Sequence, residues 1–161
     1  MDIMKWTQVK PYLISSGISL GIGTLSGLLS MKGIMMYSLF AMKPSLAPPN
    51  WLFPVVWSIL YVLMGISAAI VWLSEDSPQR SKGLNLYVAQ LIVNFFWSLI
   101  FFNAQAYGFA VLWLVLLWVL TLLMILEFRK VSKLAAKLQI PYLIWLSFAL
   151  YLNIGVWVLN M

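Results

Sequence analysis

The 161-residue sequence contains no cysteine and no histidine, and its charge is confined to ten Lys or Arg and four Asp or Glu. Without Cys there is no disulfide framework and no thiolate nucleophile; without His there is no imidazole base. Lacking both, the chain cannot build the soft-ligand clusters that hold zinc or copper. Most metal and triad chemistry is excluded by composition alone. The shortage of charge is equally informative: 9% charged against 63% hydrophobic, with a mean hydropathy of +0.96, is far from the soluble norm of roughly 25% charged and 45–50% apolar. Water is not the solvent of such a chain.

What the sequence has instead is long apolar runs, at 11–31, 44–74, 83–126 and 138–161, separated by charged residues. A bilayer core about 30 Å thick takes roughly 20 residues of helix. The third run is too long for one crossing, and Asn103-Ala-Gln-Ala-Tyr-Gly108 divides it with the polar and glycine punctuation of a tight turn. The expectation is an all-α integral membrane protein, one transmembrane domain over 1–161. Its five spans fall at about 12–31, 51–73, 84–103, 107–126 and 140–159, with a lid loop at 32–50. A β-barrel does not fit, because AVLWLVLLWVLTLLMIL (110–126) is apolar on every side where barrel strands alternate. The first run exceeds the 7–15 residues of a signal h-region and lacks a convincing cleavage site, so it reads as a retained span.

An odd number of spans separates the termini. Eight basic residues (Lys5, Lys10, Arg80, Lys82, Arg129, Lys130, Lys133, Lys137) fall on the N-terminal face and two (Lys32, Lys43) on the other, which predicts a cytoplasmic N-terminus. The net charge of +6 is mostly this topology signal. Basic residues split among short loops do not make a nucleic-acid surface, and no nucleic-acid partner is expected.

No Asp, Glu, Lys or Arg falls inside a span, Glu127 lying at the end of the fourth where it is expected to reach water. That argues against an ion-coupled transporter, as does the lack of an internal repeat. Gly17-x-x-x-Gly21 and Gly23-x-x-x-Gly27 let a neighbouring helix approach closely, and packing within the chain is favoured over a homodimer seam. In the third span, Gln90, Asn94, Trp97, Ser98 and Phe101 share one face, which must point into the bundle. Its amides either bond between helices or address a ligand.

Trp57 and Tyr61 lie one turn apart on the second span, and Trp145, Ala149 and Asn153 form a stripe on the fifth. Trp51, Trp72 and Trp157 suit an interfacial belt. Trp57 and Trp145 are deeper and are candidates for lining a pocket for a flat apolar ligand. The 32–50 loop is long enough to be a lid or disordered. Its apolar stretch 34–42 can lie against the bundle or the membrane surface, while Pro44, Pro48 and Pro49 stiffen the return.

Three ordered blocks, KPSLAPPNWLFPVVWSILYVLMGISAA (43–69), QLIVNFFWSLIFF (90–102) and IPYLIWLSFALYLNIGVWVLN (140–160), resemble the translocator protein family, also called tryptophan-rich sensory proteins. The resemblance implies a five-helix bundle, often dimeric, in a bacterial cell membrane. Its pocket would open toward the first loop and take porphyrins and other flat hydrophobic molecules. Carried over, the second-span indole is Trp57, the third-span amide Asn94, the fifth-span indole Trp145, and the lid Pro-Pro pair Pro48 and Pro49.

Leu46 stands where the family has the Trp of Lys-Pro-x-Trp, and Met36-Tyr37 where it has Trp-Tyr. Tyr151 is followed by no basic residue, which sets the chain apart from steroid-binding relatives. The leading expectation is a receptor or carrier for tetrapyrroles, without metal or cofactor. Pro48, Pro49, Trp57, Tyr61, Asn94, Trp97, Trp145 and Ala149 are the expected ligand contacts. One alternative is a light- and oxygen-dependent porphyrin-degrading enzyme with Trp57 and Trp145 as catalytic residues. Another is a regulatory or structural membrane partner assembling through its glycine faces.

Overall fold

In lipid only a helix or a closed barrel satisfies every backbone N–H and C=O, so apolar runs of this length fold as helices. The computed structural model describes residues 3–161, with side chains from Lys5 onward. The helices are α1 (Ile3–Leu29), α2 (Met31–Phe40), α3 (Leu52–Trp72), α4 (Pro78–Ser98), α5 (Tyr107–Val131) and α6 (Lys133–Leu159), and a π-helical turn, Leu99–Asn103, prolongs α4. All but α2 are long and apolar enough to cross a bilayer.

Several helices outrun the apolar stretches that mark them. α4 begins at Pro78, with the Ser77 hydroxyl accepting from the Arg80 N–H at 3.1 Å. α5 and α6 meet at Ser132 alone. Its N–H donates to Phe128 O at 2.7 Å and its hydroxyl accepts from the Ala135 N–H at 3.3 Å. Hydropathy ends at the lipid boundary, but backbone hydrogen bonding continues through the Lys-bearing turns beyond it.

The five spans close a ring in the order α1, α3, α6, α5, α4 and back to α1. Met64, Leu114, Leu117, Met124, Phe128, Tyr142 and Leu146 fill its centre. The close approach of α1 and α3 is made by Gly65, where a Cβ would lie 2.3 Å from the Ser16 Cα. The Ser19 hydroxyl cements the contact by donating to Tyr61 O at 2.6 Å.

The expected intramolecular role for the α1 glycines holds at Gly23, where a Cβ would lie 2.1 Å from the Tyr61 ring, and is corrected at Gly17, Gly21 and Gly27, which have nothing within 4 Å. Glu127 is also corrected: it is buried rather than open to water. Lys82 and Lys130 cover it, their Nζ atoms 2.9 and 3.0 Å from Oε1.

Arg80 closes the C-terminal end of α3, its Nε and an Nη donating to Trp72 O at 3.1 and 2.6 Å. These bonds supply donors to carbonyls that a helix C-terminus leaves free.

Segment 31–51 is ordered. Gly33 lies on the π turn, where a Cβ would be 2.5 Å from Phe102 O, and Tyr37 packs edge-on against Phe101 and Phe102. Asn160 clamps the end of α2 to α6, accepting from the Met42 N–H at 2.9 Å and donating to Met42 O at 2.8 Å. Tyr151 donates to Ser45 O at 2.8 Å, and Pro44 rests on Gly155.

A candidate ligand cavity beneath the lid helix

Between α1, α3, α4 and α6, and under α2, lies a cavity of about 570 Å³, within the span of 300–1,000 Å³ typical of small-molecule sites. Tyr37, Ser38 and Asn50 line its lid side, where Asn50 Nδ2 donates to Ser38 Oγ at 3.1 Å. Phe53, Trp57, Trp97, Phe101, Phe102 and Trp145 wall it, and Tyr61 and Asn94 lie at the deep end. Thr24 and Leu28 of α1, Met31 at the start of α2, and Pro54 and Ser58 of α3 line the cavity and are exposed, so it opens sideways between α1 and α3.

Packing holds the aromatic walls. Trp57 stacks on Tyr61 with ring centroids 5.5 Å apart, and Trp97 on Phe101 at 5.0 Å. Trp145 meets Phe53 edge-on at 5.9 Å. The π turn places both Phe101 and Phe102 on the cavity; Ala104 N–H reaches back to Leu99 O at 2.9 Å in the wider i to i−5 step.

The question of the third-span amide resolves in both directions. Asn94 Oδ1 accepts from the Tyr61 hydroxyl at 2.7 Å and Nδ2 donates to the Tyr142 hydroxyl at 2.7 Å; Tyr142 donates onward to Gln90 Oε1 at 2.8 Å. This network joins α3, α4 and α6. A side-chain amide has two N–H donors and two lone pairs on oxygen, so Asn94 retains one of each at the cavity. Trp97 Nε1 donates to Asn153 Oδ1 at 3.2 Å, and Asn153 Nδ2 to Tyr107 O at 3.0 Å. Among the described residues the buried Trp145 Nε1 has no acceptor.

No Asp, Glu, Lys or Arg of the described residues lines the cavity, and none of their His, Cys, Asp and Glu cluster as metal ligands. Above it, the Lys43 ammonium lies 5.2 Å from the Tyr37 ring centroid and donates to Ser38 O at 3.2 Å. Burial, with the Tyr107 phenol adding to it, pushes the Tyr37 phenol up to about 12, so it stays neutral near pH 7. The site is apolar and uncharged, with a few fixed hydrogen-bonding groups.

Of the residues singled out in sequence, Trp57, Tyr61, Asn94, Trp97, Trp145 and Ala149 all line this one cavity. Pro48 and Pro49 do not; they shape the return to α3, Pro49 O accepting from the Leu52 N–H at 3.0 Å. Sequence reasoning missed Phe53, Phe102, Asn50 and the α1 wall from Leu20 to Leu28. Phe53 carries a signal, lying four residues before Trp57 on the same helical face. The α1 wall carries only its glycines.

Five spans around an aromatic cavity beneath a lid helix define a multi-pass helical membrane protein. Residues 15–158 match the TspO/MBR family, and the chain belongs to it. The likeness extends along most of the chain: it is 36% identical over 154 residues (95% of this chain, 98% of the relative) to tryptophan-rich protein TspO of Chlorobaculum tepidum. It is 36% identical over 153 residues (91% and 90%) to the translocator protein of Sus scrofa, and 44% over 119 (73% and 74%) to protein CrtK of Rhodobacter capsulatus. The resemblance read from the three sequence blocks is thereby borne out.

Proposed function

We propose that the protein is a membrane receptor or carrier that captures a porphyrin, or a similarly flat hydrophobic molecule, in the cavity beneath α2. One observation carries this reading: a single cavity of about 570 Å³ gathers Trp57, Trp97 and Trp145 with Phe53 and Phe101. A flat apolar ligand there gains from burial, about 25 cal/mol per Å² of apolar surface, and from stacking on the indoles. The spare N–H and lone pair of Asn94 orient a polar edge. No coupling ion enters the scheme, since no ionisable Asp, Glu, Lys or Arg of the described residues lines the site. The eight-to-two distribution of basic residues supports a cell membrane location with the N-terminus cytoplasmic.

The test is a protoporphyrin titration of detergent-purified protein in the dark, with a direct binding isotherm because nine tryptophans blur quenching. Saturable binding is expected, weakened about tenfold, or 1.4 kcal/mol, in Trp57→Phe/Trp145→Phe. Binding that neither saturates nor responds to the double substitution removes the proposal. Repeating the titration under light and oxygen separates the enzymatic alternative, which demands loss of porphyrin absorbance in wild type but not in the double variant.

A further inference from the structure

α2 is apolar on both sides. Gly33, Ile34 and Tyr37 face the π turn and the cavity, whereas Met35, Leu39 and Phe40 point outward with 56, 68 and 73% of their surface exposed. At the tip of the segment that follows, Leu46 is 80% exposed and holds a left-handed backbone, φ 68°, which disfavours an apolar L-residue. Segment 31–51 carries no acidic residue and two cations, Lys32 and Lys43.

Position identifies what covers this surface. α2 follows the first span after the single residue Ser30, and α3 starts at Leu52, so the segment lies where two spans leave the bilayer. Ten residues of helix reach about 15 Å, too short to cross. The outward face continues the exposed apolar flank of α1 at Leu28 and Leu29. Apolar side chains flanked by lysines suit acyl chains beside lipid phosphates. We infer that the outward face of α2, with Leu46, docks into the headgroup–acyl boundary of the leaflet. The lid is then held between two surfaces, the bundle through Tyr37 and Asn160 and the bilayer through Met35, Leu39 and Phe40.

The absence of native cysteine makes the test direct. Single variants Met35→Cys, Phe40→Cys and Leu46→Cys of the full chain are spin-labelled in phosphatidylcholine/phosphatidylglycerol vesicles, and collision with oxygen is compared with collision with a water-soluble nickel chelate. Leu112→Cys on a span and Glu75→Cys in the α3–α4 loop give the two limits. The inference expects all three labels to shift toward the Leu112→Cys value, with oxygen collisions exceeding nickel collisions. Ratios equal to that of Glu75→Cys overturn it. Dipolar broadening that disappears on dilution with unlabelled protein also overturns it, because a second copy would then cover the face. Neither outcome depends on whether porphyrin binds.

Discussion

At the scale of single residues, hydrogen-bond partners rather than exposure separate the side chains of the cavity. Asn94 holds three helices together, so Asn94→Leu removes its bonds to Tyr61 and Tyr142 and strands the buried Tyr61 hydroxyl. Hydrogen bonds between membrane helices average roughly 0.6 kcal/mol and an unsatisfied buried group costs more. A loss of about 1–2 kcal/mol is expected in denaturant unfolding from micelles. The indoles divide in the same way. Trp97→Phe loses its bond to Asn153 and should cost about 0.5–1.5 kcal/mol, whereas Trp145→Phe deletes an N–H without an acceptor among the described residues and should leave the melting temperature unchanged or higher. If Trp145→Phe destabilises as much as Trp97→Phe, the indole N–H has a partner after all. Spacing identified these residues as one inward stripe. It could not say which hydrogen bonds they make, since those partners lie 33 to 56 positions away in the chain.

At the scale of elements, the glycines give the sharpest contrast. Gly65→Ala pushes a methyl into the Ser16 backbone, which cannot rotate aside, and overpacking of this kind costs about 1–3 kcal/mol. Gly21→Ala meets open space in a helix interior and should stabilise by roughly 0.5–1 kcal/mol. Thermal unfolding of the two variants in the same detergent checks the difference in sign. A fall in stability for Gly21→Ala would mean that this face is packed in the intact protein, as a homodimer requires. The sequence directed attention to α1 because its glycines are paired at one-turn spacing, but only Gly23 of them meets α3, and the other close approach is made by Gly65 of α3 itself. Likewise, the apolar stretch 34–42 was readable as surface-seeking, while its division into a bundle face and an outer face became visible only with the π turn beneath it.

At the scale of the whole molecule, the ring order places α3 beside both α1 and α6, with the lid spanning the ends of all three. The lid's tie to α6 rests on Asn160, so Asn160→Ala removes two exposed hydrogen bonds to Met42, worth about 0.5–1.5 kcal/mol each. On the porphyrin-binding proposal this variant should release ligand faster in stopped-flow displacement. An unchanged off-rate would show that ligand leaves through the sideways opening between α1 and α3 without lifting the lid.

Composition and hydropathy by themselves determined the solvent, the helical class and the number of crossings. Helical spacing added six of the residues that line the cavity, Trp57, Tyr61, Asn94, Trp97, Trp145 and Ala149. These features are forced locally, because each apolar segment must satisfy its own backbone in lipid whatever its neighbours do. Tertiary structure alone decided the order of helices around the ring, the burial of Glu127 under Lys82 and Lys130, the use of Gly65 and Gly23 rather than Gly17, Gly21 and Gly27, and the seating of α2 on Phe101 and Phe102. Those features depend on the fit of side chains between segments far apart in the chain, and van der Waals packing in a bilayer selects among arrangements that hydropathy cannot tell apart.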